Sequence, residues 1–175
     1  MATTRRGYTI KMTTTGLVKK GRIKVQSIEF VNTTANHTAT FSTYTSGDLH
    51  KRVHGAVITS VATGVVTASG TPFATTNITT GDVVEIDYAS DKNPNVAFLA
   101  TRDGDTQITA SPVGDLTDET TSVWDFTTYT PAQEFIITAD ASVGINPTVF
   151  YADGRWFDNL VLSQISAGTV YVHFE

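Results

Sequence analysis

The chain closes on Phe157-Asp-Asn-Leu-Val-Leu-Ser-Gln-Ile165, the turn Ser166-Ala-Gly168 and Thr169-Val-Tyr-Val-His-Phe174. In the last run, Val170, Val172 and Phe174 alternate with Thr169, Tyr171 and His173. This period of two is typical of a strand with one buried face. The two runs and the turn between them therefore predict a β-hairpin. Because a terminal strand this apolar is rarely a free tail, we expect it to belong to a sheet.

The rest of the chain has the same β character. Threonine is the most frequent residue, and it stands in alternating runs such as Thr38-Ala-Thr-Phe-Ser-Thr-Tyr44. β-branched residues are stiff at χ1 and fit a pleated, half-buried surface. No stretch of 11 residues carries a convincing apolar stripe with helical spacing. The sequence therefore predicts an all-β fold with neutral polar strand faces.

Turn signals divide the chain into an outer part and a middle part. Short strands and tight turns in the middle, at Gly64 and at Asp103-Gly-Asp105, predict a small β-barrel over 52–130. The two ends, 1–51 and 131–175, are predicted to form a discontinuous, jelly-roll-like antiparallel β-sandwich with a basic N-terminal arm. A change of phase at Gln26-Ser27 predicts a bulge. Asp153-Gly-Arg155 is interpreted as a further turn.

Charge and composition restrict the function classes. The 175 residues carry a formal net charge of −5 and only 17% charged residues, which argues against a nucleic-acid binder. The sequence has no cysteine, no apolar run long enough to span a membrane, and no apolar signal segment near Met1. We therefore expect a protein that is made in a cytoplasm and holds together by packing and strand pairing.

Basic residues are concentrated near the N-terminus. They are Arg5, Arg6, Lys11, Lys19, Lys20, Arg22 and Lys24. A basic arm on an acidic body could dock on an acidic partner, or it could simply be a solvated terminus. We take as candidate partner contacts Arg5, Arg6, Lys11, Lys19, Lys20, Arg22 and Trp156.

Clusters of chemically active residues are weak in this sequence. His50 and His54 stand four apart beside two cations, and without cysteine they do not make a convincing zinc site. The Asp-Gly-Asp run at 103–105 is a common turn rather than a calcium loop. Glu85 and Asp87 share a strand face and provide the one carboxylate pair on which glycoside hydrolysis could rest. We expect no enzyme activity, no metal and no cofactor.

Aromatic residues cluster in the C-terminal half. They are Trp124, Phe126, Tyr129, Phe150, Tyr151, Trp156 and Phe157. Such residues usually fill a β core, although an exposed patch could bind sugars or a protein. We expect most of them to be buried, and Trp156, which follows a turn signal, to be exposed.

Two stretches resemble small structural proteins of tailed bacteriophages. Gly154–Phe174 resembles the C-terminal hairpin that ends a β-sandwich in such proteins. Phe73–Ile86, continuing through Asn95–Thr101 to Thr106–Thr109, resembles a small β-barrel module of phage head, tail and fibre proteins.

The resemblance implies a non-enzymatic virion protein without cofactors. Its commonest form is a capsid decoration or cement protein that binds the major capsid protein, often as a trimer at three-fold positions. A neck, tail or baseplate component and a host-glycan-binding module remain alternatives. The implied location is the virion, with neither specific nucleic acid nor membrane as a partner.

Overall fold

A computed structural model describes residues 7–31, 37–111, 115–139 and 147–175, and nearly all of them lie in antiparallel strands. The strands are β1 (Tyr8–Met12), β2 (Gly16–Val31), β3 (His37–Thr43), β4 (Leu49–Ala62), β5 (Val65–Ala68), β6 (Val83–Ala89), β7 (Ala97–Arg102), β8 (Gln107–Ser111), β9 (Ser122–Tyr129), β10 (Ala132–Ala139), β11 (Thr148–Ile165) and β12 (Thr169–Phe174). A 3₁₀ turn occupies Ser46–Asp48, and the one-turn helix α1 spans Pro72–Thr75. The predicted class, an antiparallel β-sandwich with a small β-barrel, is confirmed.

The chain divides into two compact units. Unit 1 comprises Met1–Thr43 and Gln133–Glu175, and unit 2 comprises Tyr44–Ala132. The predicted insert, 52–130, lies inside unit 2. The two ends of unit 2 lie close together. The ring centroids of Tyr44 and Tyr129 are 5.0 Å apart, and the Thr130 N–H donates to the Asp48 carbonyl.

Unit 1 is built by nested pairing of strands from the two ends of the chain. Its sheet order is β1-β12-β2-β11-β3-β10, so first strands pair with last ones, as in a jelly roll. Its buried core includes Val25, Ile28 and Phe30 of β2 and Val170 and Val172 of β12. The alternation predicted for the last strand is thus confirmed.

The register of unit 1 shows that β2 is not straight. Gly16 pairs with Leu162, and Val31 pairs with Thr169. A straight β2 would separate its ends by roughly 50 Å, at about 3.3 Å per residue. The chain from Leu162 to Thr169 can reach at most about 25 Å. β2 must therefore bend along its length.

The bend lies near Gly21. This glycine adopts a φ of +85°, a left-handed conformation that favours glycine. Its N–H donates to the Asn159 side-chain oxygen at 2.7 Å. Asn159 itself has a φ of +49° and sits at a register shift between β11 and β2. Paired distortions on facing strands thus bend both together.

Two local predictions are wrong and one is confirmed. β11 and β12 do not pair as a hairpin, because β2 lies between them. Asp153-Gly-Arg155 is not a turn but lies inside β11, at a register shift that leaves extra residues on that strand. The predicted bulge is present, since Ser27 pairs with His173 and Val25 with Phe174, which leaves Gln26 unmatched.

Unit 2 is a closed barrel with strand order β4-β5-β8-β7-β6-β9. Thr63 and Gly64 both have positive φ and make the predicted tight turn from β4 to β5. Phe73, the first residue of the phage-like stretch, lies in α1 and not in a strand. Pro72 at the N-terminus of α1 presets a helical φ, and the Phe73 ring is fully buried in the barrel core. No helix of the described residues is long and apolar enough to cross a membrane.

The predicted basic arm is wrong from residue 8 onwards. Lys11 belongs to β1, whereas Lys19, Lys20 and Arg22 belong to β2. The apolar residues that alternate with these cations, such as Val18 and Ile23, are buried in the core. Arg5 and Arg6 lie outside the described residues.

Candidate functional site

A groove on unit 1 is the strongest candidate site. Its volume is about 650 Å³, within the range of about 300–1,000 Å³ typical of ligand pockets. Strands β1, β2 and β11 and the end of β12 form its walls. The lining residues are Tyr8, Thr9, Ile10, Lys19, Arg22, Ile23, Lys24, Trp156, Phe174 and Glu175.

One wall combines an indole with a guanidinium. Trp156 is 54% exposed, and the Arg22 guanidinium carbon lies 5.0 Å from its ring centroid. An exposed cation–π contact of this kind contributes about 0.5–1 kcal/mol. It also holds the guanidinium plane, whose N–H groups match the two oxygens of a carboxylate. The prediction that Trp156 is exposed is confirmed.

The opposite wall is apolar. Tyr8, which is 64% exposed, stacks on Phe174 with ring centroids 6.0 Å apart. Ile10 and Phe174 are half-buried against the core of unit 1. The groove therefore joins an apolar side to a cationic side, a combination suited to an amphipathic ligand.

Three cations of this region have no counter-charge, whereas Lys24, which also lines the groove, is paired with the Glu175 carboxylate there. Within the residues that the structure describes, the side chains of Lys11, Lys19 and Arg22 form neither an ion pair nor a hydrogen bond. Asp158 is opposite Arg22 in the β2/β11 register, but the two form no ion pair. All other described lysines and arginines have a partner. Those with named partners are Lys24 on Glu175, Lys51 on the Thr75 carbonyl, Arg52 on Asp87, Lys92 on the Asp118 carbonyl, Arg102 on Asp105 and Arg155 on Glu134.

Three of the predicted contact residues meet in the groove: Lys19, Arg22 and Trp156. Lys11 and Lys20 are exposed but do not line it. Sequence reasoning missed Tyr8 and Phe174 as wall residues. The period-two pattern of β1 and β12 was the available signal, but it does not tell which ends of two strands lie side by side.

The carboxylate pair on β6 is embedded in a polar network. The Tyr44 hydroxyl donates to Glu85 Oε1 at 2.6 Å, and both side chains are buried. The Thr127 hydroxyl donates to Asp87 Oδ2, and Arg52 lies 3.6 Å from the same oxygen. Burial, and next the hydrogen bond and charge of Glu85, raise the pKa of Tyr44 far above its ordinary value. These contacts suit a stabilising network.

The other polar candidates have local structural partners. His54 Nδ1 lies 3.2 Å from Asp125 Oδ2, and the Gly55 N–H also donates to Asp125. The side chain of His50 is outside the described part. Asp103 accepts from the Thr109 hydroxyl within the predicted turn. Among the described residues, no three His, Cys, Asp or Glu side chains are grouped as metal ligands.

Three of the clustered aromatics are core residues, and Tyr129 and Tyr151 are half-buried. Trp124 and Phe126 are fully buried in the barrel, and Phe157 is buried in unit 1. The Trp124 N–H donates to the buried Glu119 carboxylate at 2.9 Å. These rings are therefore not available to a surface ligand, whereas Trp156 is. The side chain of Phe150 lies outside the described residues.

No protein-family model, curated protein or solved structure matches this chain.

Proposed function

We propose that this protein is a non-enzymatic structural component of a phage virion, specifically a capsid decoration protein that binds the major capsid protein. The observation that carries the proposal is that Lys19 and Arg22, beside an exposed tryptophan, form no ion pair and no hydrogen bond with any described residue. Lys19 and Arg22 keep their charges available next to Trp156, on a protein whose formal net charge is −5. Such a local patch steers an acidic surface toward one face.

The docking chemistry also fits a protein partner. Arginine and tryptophan are enriched among the residues that dominate binding energy at protein interfaces. A planar guanidinium held on a ring can receive a carboxylate in a bidentate fashion. In this proposal the groove binds the shell, copies of the protein assemble as a trimer at three-fold positions, and the barrel contacts neighbours or solvent.

Immunogold labelling of phage particles from a bacterium that carries the gene tests the proposal. We expect gold over the head and a three-fold pattern in averaged images. Gold on the neck, tail or baseplate would replace decoration by the alternative virion role. Particles without gold would overturn the virion role altogether.

A sedimentation assay links the role to the groove. Particles prepared without the gene product should bind the purified wild-type protein and lose at least about tenfold in affinity for Arg22→Gln, since a hydrogen-bonded charge pair is lost. Arg155→Gln is the matched control. Arg155 also lies over an aromatic ring, Phe157 at 4.8 Å, but it is paired with Glu134. Equal binding by both variants would exclude the groove as the docking site.

A further inference from the structure

The groove lies along an incompletely paired edge of β2. β12 accompanies β2 from Val25 to Val31, and the Glu175 N–H extends this pairing to the Lys24 carbonyl, whereas β11 accompanies β2 along most of its length. In the described part of the chain, Lys19, Arg22 and Ile23 therefore have a strand neighbour on the β11 side alone. The groove opens on the other side, directly beyond the end of β12.

The lining residues show that the groove lies along the edge of β2 and not on a face of the sheet. Successive side chains of a strand point to opposite faces of the sheet. Ile23 is buried in the core, whereas Arg22 points outward to Trp156. A cavity that contacts both of these neighbours must lie beside the strand, at the position that an added strand would occupy.

We infer that this groove binds a short, extended, acidic segment of a partner protein, which pairs with β2 in line with β12. The backbone of the segment would complete the ladder, as in other cases of strand addition. Its outward side chains would meet the unpaired Lys19 and Arg22. Its inward side chains would meet Ile23 and the Tyr8–Phe174 wall. Carboxylates should therefore alternate with apolar residues in the segment.

This inference rests on the proposed function only in assigning the segment to a capsid protein. A binding experiment in solution separates the two. The probe is a fluorescein-labelled octapeptide of alternating Val and Glu, titrated with the full-length protein at low salt and followed by anisotropy. A Val/Lys peptide and a peptide with the same composition in two blocks serve as sequence controls.

Backbone methylation tests the pairing itself. Two further peptides carry N-methyl groups on one or the other alternate set of residues. An added edge strand turns only one set of N–H groups toward β2. We therefore expect one methylated peptide to lose binding and the other to keep it. Equal binding by both would overturn strand addition.

Variants of the protein locate the site. Arg22→Gln should weaken binding by about tenfold or more, since it loses a charge-assisted hydrogen bond, and Arg155→Gln should leave binding unchanged. Far-UV circular dichroism checks that both variants are folded. Failure of the Val/Glu peptide to bind, or equal binding of the block and lysine peptides, would overturn the inference. Gold labelling of the heads without binding of the Val/Glu peptide would support the proposed function and overturn the peptide site. Binding of the peptide without gold on the heads would support the peptide site and overturn the proposed function.

Discussion

The hydrogen bond from Tyr44 to Glu85 offers a stability test for unit 2. The donor and acceptor are 2.6 Å apart, and the two residues are only 1% and 7% exposed. Hydrogen bonds to charged groups contribute about 1.5–3 kcal/mol, and a buried acceptor that loses its donor also loses its compensation for desolvation. We therefore expect Tyr44→Phe to lower the free energy of unfolding of unit 2 by about 2–3 kcal/mol.

The pH dependence provides a second readout of the same bond. Burial and Glu85 raise the pKa of Tyr44, so the folded protein keeps a phenolic proton that the unfolded chain releases near pH 10. Below pH 10 both states hold this proton and the stabilisation is complete. Above pH 10 the unfolded state binds fewer protons, so the free energy of unfolding falls by about 1.4 kcal/mol per pH unit until the folded pKa is reached. Tyr44→Phe should remove this part of the alkaline slope.

Urea denaturation followed by Trp124 fluorescence measures both effects. Trp124 is buried in unit 2, and a Trp156→Phe background removes the signal from unit 1. Tyr129→Phe is the matched control for the loss of stability at neutral pH, since that ring packs on Tyr44 and its hydroxyl has no hydrogen-bond partner within the described residues. It does not control the alkaline slope, because burial and the charges of Glu85 and Asp87 also raise the pKa of Tyr129. We expect the control to change stability by less than about 0.5 kcal/mol. A loss below about 0.5 kcal/mol in Tyr44→Phe, with an unchanged alkaline slope, would show that the Tyr44–Glu85 hydrogen bond does not stabilise unit 2.

Three further outcomes are expected. Gly21→Ala should destabilise unit 1 by about 1–2 kcal/mol, as measured by urea denaturation. The cause is backbone strain alone, because nothing lies within 4 Å of the added methyl group. The control is Gly104→Ala, which should be near neutral because Gly104 does not have a positive φ. Glu119→Ala should cost unit 2 about 1.5–3 kcal/mol, since the Trp124 N–H would lose its buried acceptor; an unchanged urea midpoint would contradict this. Particle binding through Arg22 should weaken as salt rises, and salt-independent sedimentation would argue against an electrostatic dock.

Local sequence patterns predicted the strands well because the buried face of a strand appears in its sequence as alternating apolar residues. Val170 and Val172 alternate with polar neighbours since only one face of β12 meets the core. The bulge at Gln26 was visible for the same reason, as a change of phase in the apolar pattern. Such signals depend only on the residues that are adjacent in sequence, so they can be found in a single sequence.

The failed hairpin shows what local patterns lack. The turn at Ser166–Gly168 joins two strands in either of two ways, side by side or on opposite sides of a third strand. β2 determines that the two strands lie on opposite sides of it, because its bend near Gly21 brings both of its halves within reach of β11 and β12. This bend involves Gly21 on β2 and Asn159 on β11, so it cannot be predicted from either residue alone.

The same bend explains why the candidate site was only partly predictable. Basic residues at 19 and 22 and an exposed Trp156 were identifiable by type, but their meeting depends on the register of β2 against β11. Their lack of ion pairs depends on where every acidic side chain lies. Because nested pairing assigns β12 only to the second half of β2, no described strand pairs with the β12 side of the first half, where these cations lie. The topology that builds the sandwich is thus also what leaves the position at which we propose that a partner strand binds.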